Sequence, residues 1–144
     1  MSTSRTDLNY EQRFNDSVDK LMGHGCYNVE LIEDFYRIFL AKSDVVANLF
    51  AHTNMSAQKT MLHDSLETLI DFSRTKEISP ALEKLAQAHG KRGKNVPTYL
   101  FDVWLDSLME ALYLRDNSFT DKDELAWRLT LAPGITYVKF ICKK

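Results

Sequence analysis

Apolar side chains recur every three or four positions along almost the whole chain, and that period belongs to helices rather than strands. Strand-like alternation is nearly absent, and only 5 glycines and 3 prolines punctuate the 144 residues. Phe14, Val18 and Leu21 define a first helix, closed by a Gly23-His24-Gly25 turn. Asn28 is placed to cap a second, with Ile32, Phe35, Tyr36, Phe39 and Leu40 on one face. Ser43-Asp44 opens a short third segment ending at Leu49-Phe50, and 51–56 read as loop. Leu62, Leu66, Leu69 and Ile70 keep register on a fourth helix. Ser79-Pro80 is a start signal, cap then first-turn proline, for a fifth helix bearing Leu82, Leu85, Ala86 and His89 before Gly90. A sixth begins near Pro97 and carries Leu100, Trp104, Leu108 and Leu112. Thr120, with Asp121 and Asp123, caps a last helix containing Leu125, Leu129, Val138 and Ile141, where Pro133-Gly134 is expected to kink or interrupt it. The chain is therefore all-α.

Composition narrows the function classes. The length suits one domain, and 44% hydrophobic with 26% charged residues are the proportions of an ordinary globule. Eighteen Lys+Arg balance 20 Asp+Glu, so nucleic acid is not expected as a partner. The nearest approach to a basic run is Lys91, Arg92 and Lys94. No apolar run is long enough to span a membrane, and the first residues lack a secretory apolar stretch. Cys26 and Cys142 fit no metal or redox spacing and read as thiols in a reducing cytoplasm.

The informative residues are polar groups that break apolar stripes. His89 falls in line with Leu82 and Leu85, Gln58 lies one turn before Leu62, and Tyr36 stands among Ile32, Phe39 and Leu40. Each alone reads as a hydrogen-bonded core residue or a wet helix end. Together they aim three polar groups at one interior, where an unpaired group costs ~1–3 kcal/mol. A haem resolves this, with an imidazole on its iron and hydrogen-bond donors on its other face.

The segments holding these residues are FYRIFLAKSDVVANLF at 35–50, MSAQKTML at 55–62, LEKLAQAHGKRG at 82–93 and PTYLFDVW at 97–104. Through them the chain resembles the globin family, in particular bacterial single-domain globins and the globin domains of flavohaemoglobins and globin-coupled sensors. The resemblance implies a globin fold, a three-over-three helical sandwich around haem, with residues 1–10 as an N-terminal extension and 11–144 as the globin domain. It implies His89 as the iron ligand, Gln58 and Tyr36 beside the bound gas, and Phe50 and Leu62 against the haem. Leu85, Val96 and Leu100 are expected to complete the contact, with Tyr99 beside the proximal histidine. The cofactor implied is non-covalent haem b, since the chain has no CxxCH. The function implied is reversible binding of O2 and of NO and CO, with no catalytic residue. The alternatives are an NO dioxygenase served by a separate reductase and a gas sensor acting through a partner.

Departures from the pattern bear on these alternatives. Flavohaemoglobins carry a last-helix glutamate behind the proximal histidine, and here that place falls on or beside Cys142. No flavin reductase domain is expected beyond Lys144, which favours a gas-binding protein over an enzyme. Lys91 and Arg92 are the expected partners of the haem propionates. His52 and His63 read as surface residues, and Asp116, Asp121, Asp123 and Glu124 as solvated acids at a helix start. Leu105, Met109, Tyr113, Leu131, Tyr137 and Phe140 form a candidate homodimer surface on the last two helices.

Overall fold

Short polar side chains open six of the seven helices. The computed structural model describes residues 9–22 and 28–144, so the expected Gly23-His24-Gly25 turn, Cys26 and residues 1–8 lie outside the described residues. Helix α1 spans Tyr10–Met22, with Asn9 Oδ1 accepting from Gln12 N at 3.1 Å. Asn28 caps α2 (Val29–Lys42) and Ser43 caps α3 (Asp44–Leu49). Asn54 caps α4 (Met55–Thr75), Ser79 caps α5 (Pro80–His89), and Thr120 forms a reciprocal capping box with Asp123 on α7 (Asp121–Cys142). Only α6 (Tyr99–Arg115) starts without a side-chain cap; it follows the Pro97-Thr98 turn. Among the described residues there is no strand, so the all-α expectation holds.

Two boundaries differ from the sequence expectation. The loop before α4 ends at Asn54 rather than at residue 56, because the Asn54 side chain accepts from Ala57 N and starts the helix two residues sooner. Helix α7 runs through Pro133 without interruption. A proline there removes one donor, but α7 is held along its length by α1, α4 and α5. Gly134 lets α4 come close: a Cβ at this position would lie 2.5 Å from Leu69 Cδ2.

Helix α7 is the spine. Its inward face is Ala126, Trp127, Thr130, Leu131, Gly134, Ile135 and Val138, and the phase is set by Trp127. The indole packs edge-on to Phe14 with centroids 4.8 Å apart, and its Nε1–H donates to Ser17 Oγ at 2.9 Å. That phase turns Leu125 and Leu129 outward, where both stay exposed. It also takes Leu131 fully into the core, and Met109 is buried on α6. Two of the six residues expected on a homodimer surface are therefore interior; Tyr113 and Phe140 stay exposed. No helix among the described residues is long and apolar enough to cross a membrane. Helix α2 lies on α6 and touches α3 and α4, which leaves a gap bounded by α2, α4, α5 and α6.

Candidate functional site

That gap is a cavity of ≈ 420 Å³ with a mainly apolar wall. Leu62, buried on α4, and Leu100, buried on α6, form its walls with Leu85 of α5. Phe50 comes from the C-terminal cap of α3, its N–H held by the carbonyls of Val46 and Ala47. Phe50 meets the Phe39 and Tyr36 rings edge-on at 6.0 and 6.1 Å. Val96 reaches the cavity from the α5–α6 loop, its N–H donating to the His89 carbonyl at 3.0 Å.

Among the polar residues on this wall are His89, Tyr36 and Gln58. His89, the last residue of α5, has Nδ1 2.8 Å from the Leu85 carbonyl oxygen. A carbonyl only accepts, so Nδ1 carries the proton and Nε2 keeps its lone pair. Burial holds the imidazole below its ordinary pKa; the Leu85 carbonyl opposes this and the Lys94 charge adds to it. The ring is thus neutral, with one nitrogen fixed and the other suited to a metal. The Phe101 ring stands 5.8 Å from it.

On α2, Tyr36 is 4% exposed and lines the same cavity. Its hydroxyl donates to the Gln58 main-chain carbonyl over a long 3.3 Å. Burial raises the phenol above its ordinary pKa, with the Gln58 side chain acting the other way, so it stays a protonated donor. Gln58, in the first turns of α4, also lines the cavity, and its amide can both give and accept.

The structure therefore brings together His89, Tyr36, Phe50, Gln58, Leu62, Leu85, Val96 and Leu100 around one space. Tyr99 does not join them. It is 52% exposed and absent from the cavity wall, because Leu100 is the inward residue of that turn and its predecessor lies about 100° away. Lys91 and Arg92 are exposed and do not line the cavity; the cations that do are Lys84 and Lys94. Lys94 Nζ stands 5.9 Å from the Phe50 ring centroid. His52 is exposed, and His63 turns to Asp64 and Glu67 at 3.4 and 3.2 Å. Trp104 and Phe101 are lining residues that sequence reasoning did not single out. Their mark was legible only in part, as apolar residues flanking Leu100 on α6.

Chemically, a large apolar slot with a neutral imidazole on one helix and two hydrogen-bond donors from others fits a flat aromatic iron chelate. The metal would take Nε2 of His89, and a small polar ligand would meet Tyr36 and Gln58. A crystal structure of a Pseudomonas aeruginosa protein, described as structurally highly homologous to a human hemoglobin, superposes with a TM-score of 0.83. It is 30% identical in sequence, and the match covers 92% of this chain and 98% of that one. No family model and no curated protein matches the chain.

Proposed function

This chain belongs to the globin family, and on that footing we propose that it holds a non-covalent haem b on His89 and reversibly binds O2, NO and CO. The observation that carries the reading is the His89 imidazole, neutral and fixed by the Leu85 carbonyl at 2.8 Å, on the wall of a cavity that also receives Tyr36 and Gln58. When bound, haem would supply an iron able to take up a diatomic gas. Leu62, Phe50, Leu85, Val96 and Leu100 give the ring an apolar bed and keep water out. Tyr36 and Gln58 place O–H and N–H donors where a polar gas gains more from them than an apolar one does. Lys84 and Lys94, at the cavity wall, are the cations suited to the ring's two carboxylates.

The second nitrogen of His89 meets a backbone carbonyl, a weaker acceptor than a carboxylate. Proximal electron donation is therefore modest, which suits gas binding better than O–O cleavage. The test is an absorption spectrum of purified protein, ferric, ferrous and under CO, with the Fe–His stretching frequency of the ferrous form. A single haem band per chain and a frequency in the neutral-imidazole range are the expected results. No Soret band after incubation with haem, or one unchanged in His89→Ala, overturns the reading.

A further inference from the structure

Helix α4 gathers three metal-ligating side chains beside the cavity. His63, Asp64 and Glu67 each bring one donor atom to the same spot, and these atoms all lie within 4.8 Å of one another. Among the described residues this is the one group in which three His, Cys, Asp or Glu side chains converge so closely. Helix spacing explains the convergence: residues three and four apart share a face, so Glu67 stands on the same face as both Asp64 and His63. His63 Nδ1 is 3.4 Å from Asp64 Oδ1 and 3.2 Å from Glu67 Oε1. A charge-assisted N–H···O bond closes to about 2.7–2.9 Å. Moreover, a ring nitrogen has at most one hydrogen to offer two carboxylates. Zinc bonds of about 2.0–2.1 Å, set tetrahedrally, put neighbouring ligand atoms about 3.3 Å apart. Both separations match that edge.

We propose that His63 Nδ1 and the carboxylates of Asp64 and Glu67 form a site for one Zn2+ ion, with its fourth position left to water. The donor set selects the ion. An imidazole nitrogen with two carboxylates suits zinc, whereas calcium and magnesium take oxygen ligands. The chain also provides the right balance of order and freedom. The His63 ring is half-buried and so held in place, while Asp64 and Glu67 are exposed and free to close on the ion. Like charges at i and i+3 repel, and a dication turns that repulsion into a shared attraction. Asp64 also lines the cavity, so the ion sits at the cavity edge and converts one acid of its wall from a free charge into a bound ligand. The site stands apart from the haem reading, because none of its three ligands is among the residues assigned to the ring.

The experiment titrates the full chain, stripped of metal on a chelating resin, with ZnCl2 in a calorimeter. One zinc per chain is expected. His63→Ala, and separately Asp64→Asn/Glu67→Gln, should each weaken the Kd at least ~10-fold, since even the loss of a group behind a ligand costs that much. His52→Ala, which removes another histidine on the exposed surface, should bind as wild type. Glu67→His keeps a ligand one turn from His63 and should bind zinc at least as tightly as wild type. A purely structural ion pair would give no such retention. X-ray absorption at the zinc edge should show one imidazole and only nitrogen or oxygen ligands at about 2.0–2.1 Å. Calcium and magnesium in tenfold excess should not displace the ion. Zinc binding that survives His63→Ala, sulfur in the zinc shell, or calcium binding as tight as zinc's overturns the site. So does equal loss in His52→Ala. Each variant is checked for helix content by circular dichroism, and a folded His63→Ala that still binds zinc as wild type is decisive against the proposal. The haem reading survives any of these results, and a chain that takes up no haem leaves this test intact.

Discussion

Two hollows of similar size sit on this molecule, and they treat polar groups in opposite ways. One, of ≈ 350 Å³, lies where α1 meets the α6–α7 corner and is lined almost entirely by polar side chains. Those groups satisfy each other. Arg13 meets Asp123 at 3.0 Å, Gln12 donates to Asp16 at 2.8 Å, and Lys20 bridges to Asp116 at 2.8 Å while also meeting Ser118. The other, of ≈ 420 Å³, is mostly apolar, yet His89, Tyr36 and Gln58 on its wall make few bonds, and the Tyr36 bond is long at 3.3 Å. The lesson is that polarity does not mark a ligand site; spare hydrogen-bonding capacity inside an apolar wall does. The polar hollow joins helices together, and the apolar one is built to be completed by something else.

The strongest way to break this contrast is to remove the imidazole. His89→Ala should lower haem content from about one per chain to nearly none, recoverable with added imidazole, as measured by pyridine haemochrome assay. Full haem content in that variant would erase the distinction. The converse change belongs to the closed side: Ser17→Ala strands the Trp127 Nε1–H in the core and should cost about 1–3 kcal/mol in denaturant unfolding. Haem uptake should not change, and a loss of uptake would mean the two hollows are not independent. A smaller effect is expected from Tyr36→Phe, which should speed O2 release roughly tenfold, about 1.4 kcal/mol, with less change for CO. Equal changes for both gases would deny that the hydroxyl is a spare donor.

Acid should separate the two regions more gently. His89 has a folded pKa below its ordinary 6.5, so the folded cavity binds fewer protons than the unfolded chain. Its contribution is present above that value and lost as pH falls through the lowered one. For Asp116, burial pushes the carboxyl up, but Lys20 and the Ser118 hydroxyl and N–H outweigh it, leaving a value below 3.8. Its stabilisation is present above 3.8 and lost only as pH falls through the depressed value. Unfolding of the haem-free protein followed against pH should thus show a first loss near mild acidity, absent in His89→Gln. A second, far more acidic loss should be absent in Lys20→Met. One shared transition would argue against the separation.

Sequence made the helix starts legible because caps are local: Asn28, Ser43, Ser79 and Thr120 each bond within three residues of themselves. It made His89, Gln58 and Tyr36 legible because each breaks an apolar stripe. What it hid depends on distant packing. The passage of α7 through Pro133 is sustained by neighbouring helices, and the outward turn of Leu125 and Leu129 follows from the Trp127–Ser17 bond across 110 residues. The place of Tyr99 off the cavity wall was hidden because spacing along the chain says nothing about the rotation of α6, where Leu100 is the buried residue of that turn. The basic run was visible in the sequence, but only the fold sets Lys84 and Lys94 on the cavity wall.

The loop after α5 has no freedom of its own. Gly93 passes so close to the end of the helix that a Cβ there would overlap the Ala88 carbonyl oxygen. Lys94 N–H bonds to Ala88, Asn95 N–H to Gly90 and Val96 N–H to His89, at 2.9, 2.8 and 3.0 Å. The carbonyls that hold the loop thus belong to the same turn that carries the imidazole. Amide protons at 94, 95 and 96 should exchange with solvent as one cooperative unit with the last turn of α5, at a single rate set by its opening. Escape of a bound ring and release of the loop would then be the same kinetic event, and a change that stiffens the loop should lengthen the residence of whatever the cavity holds.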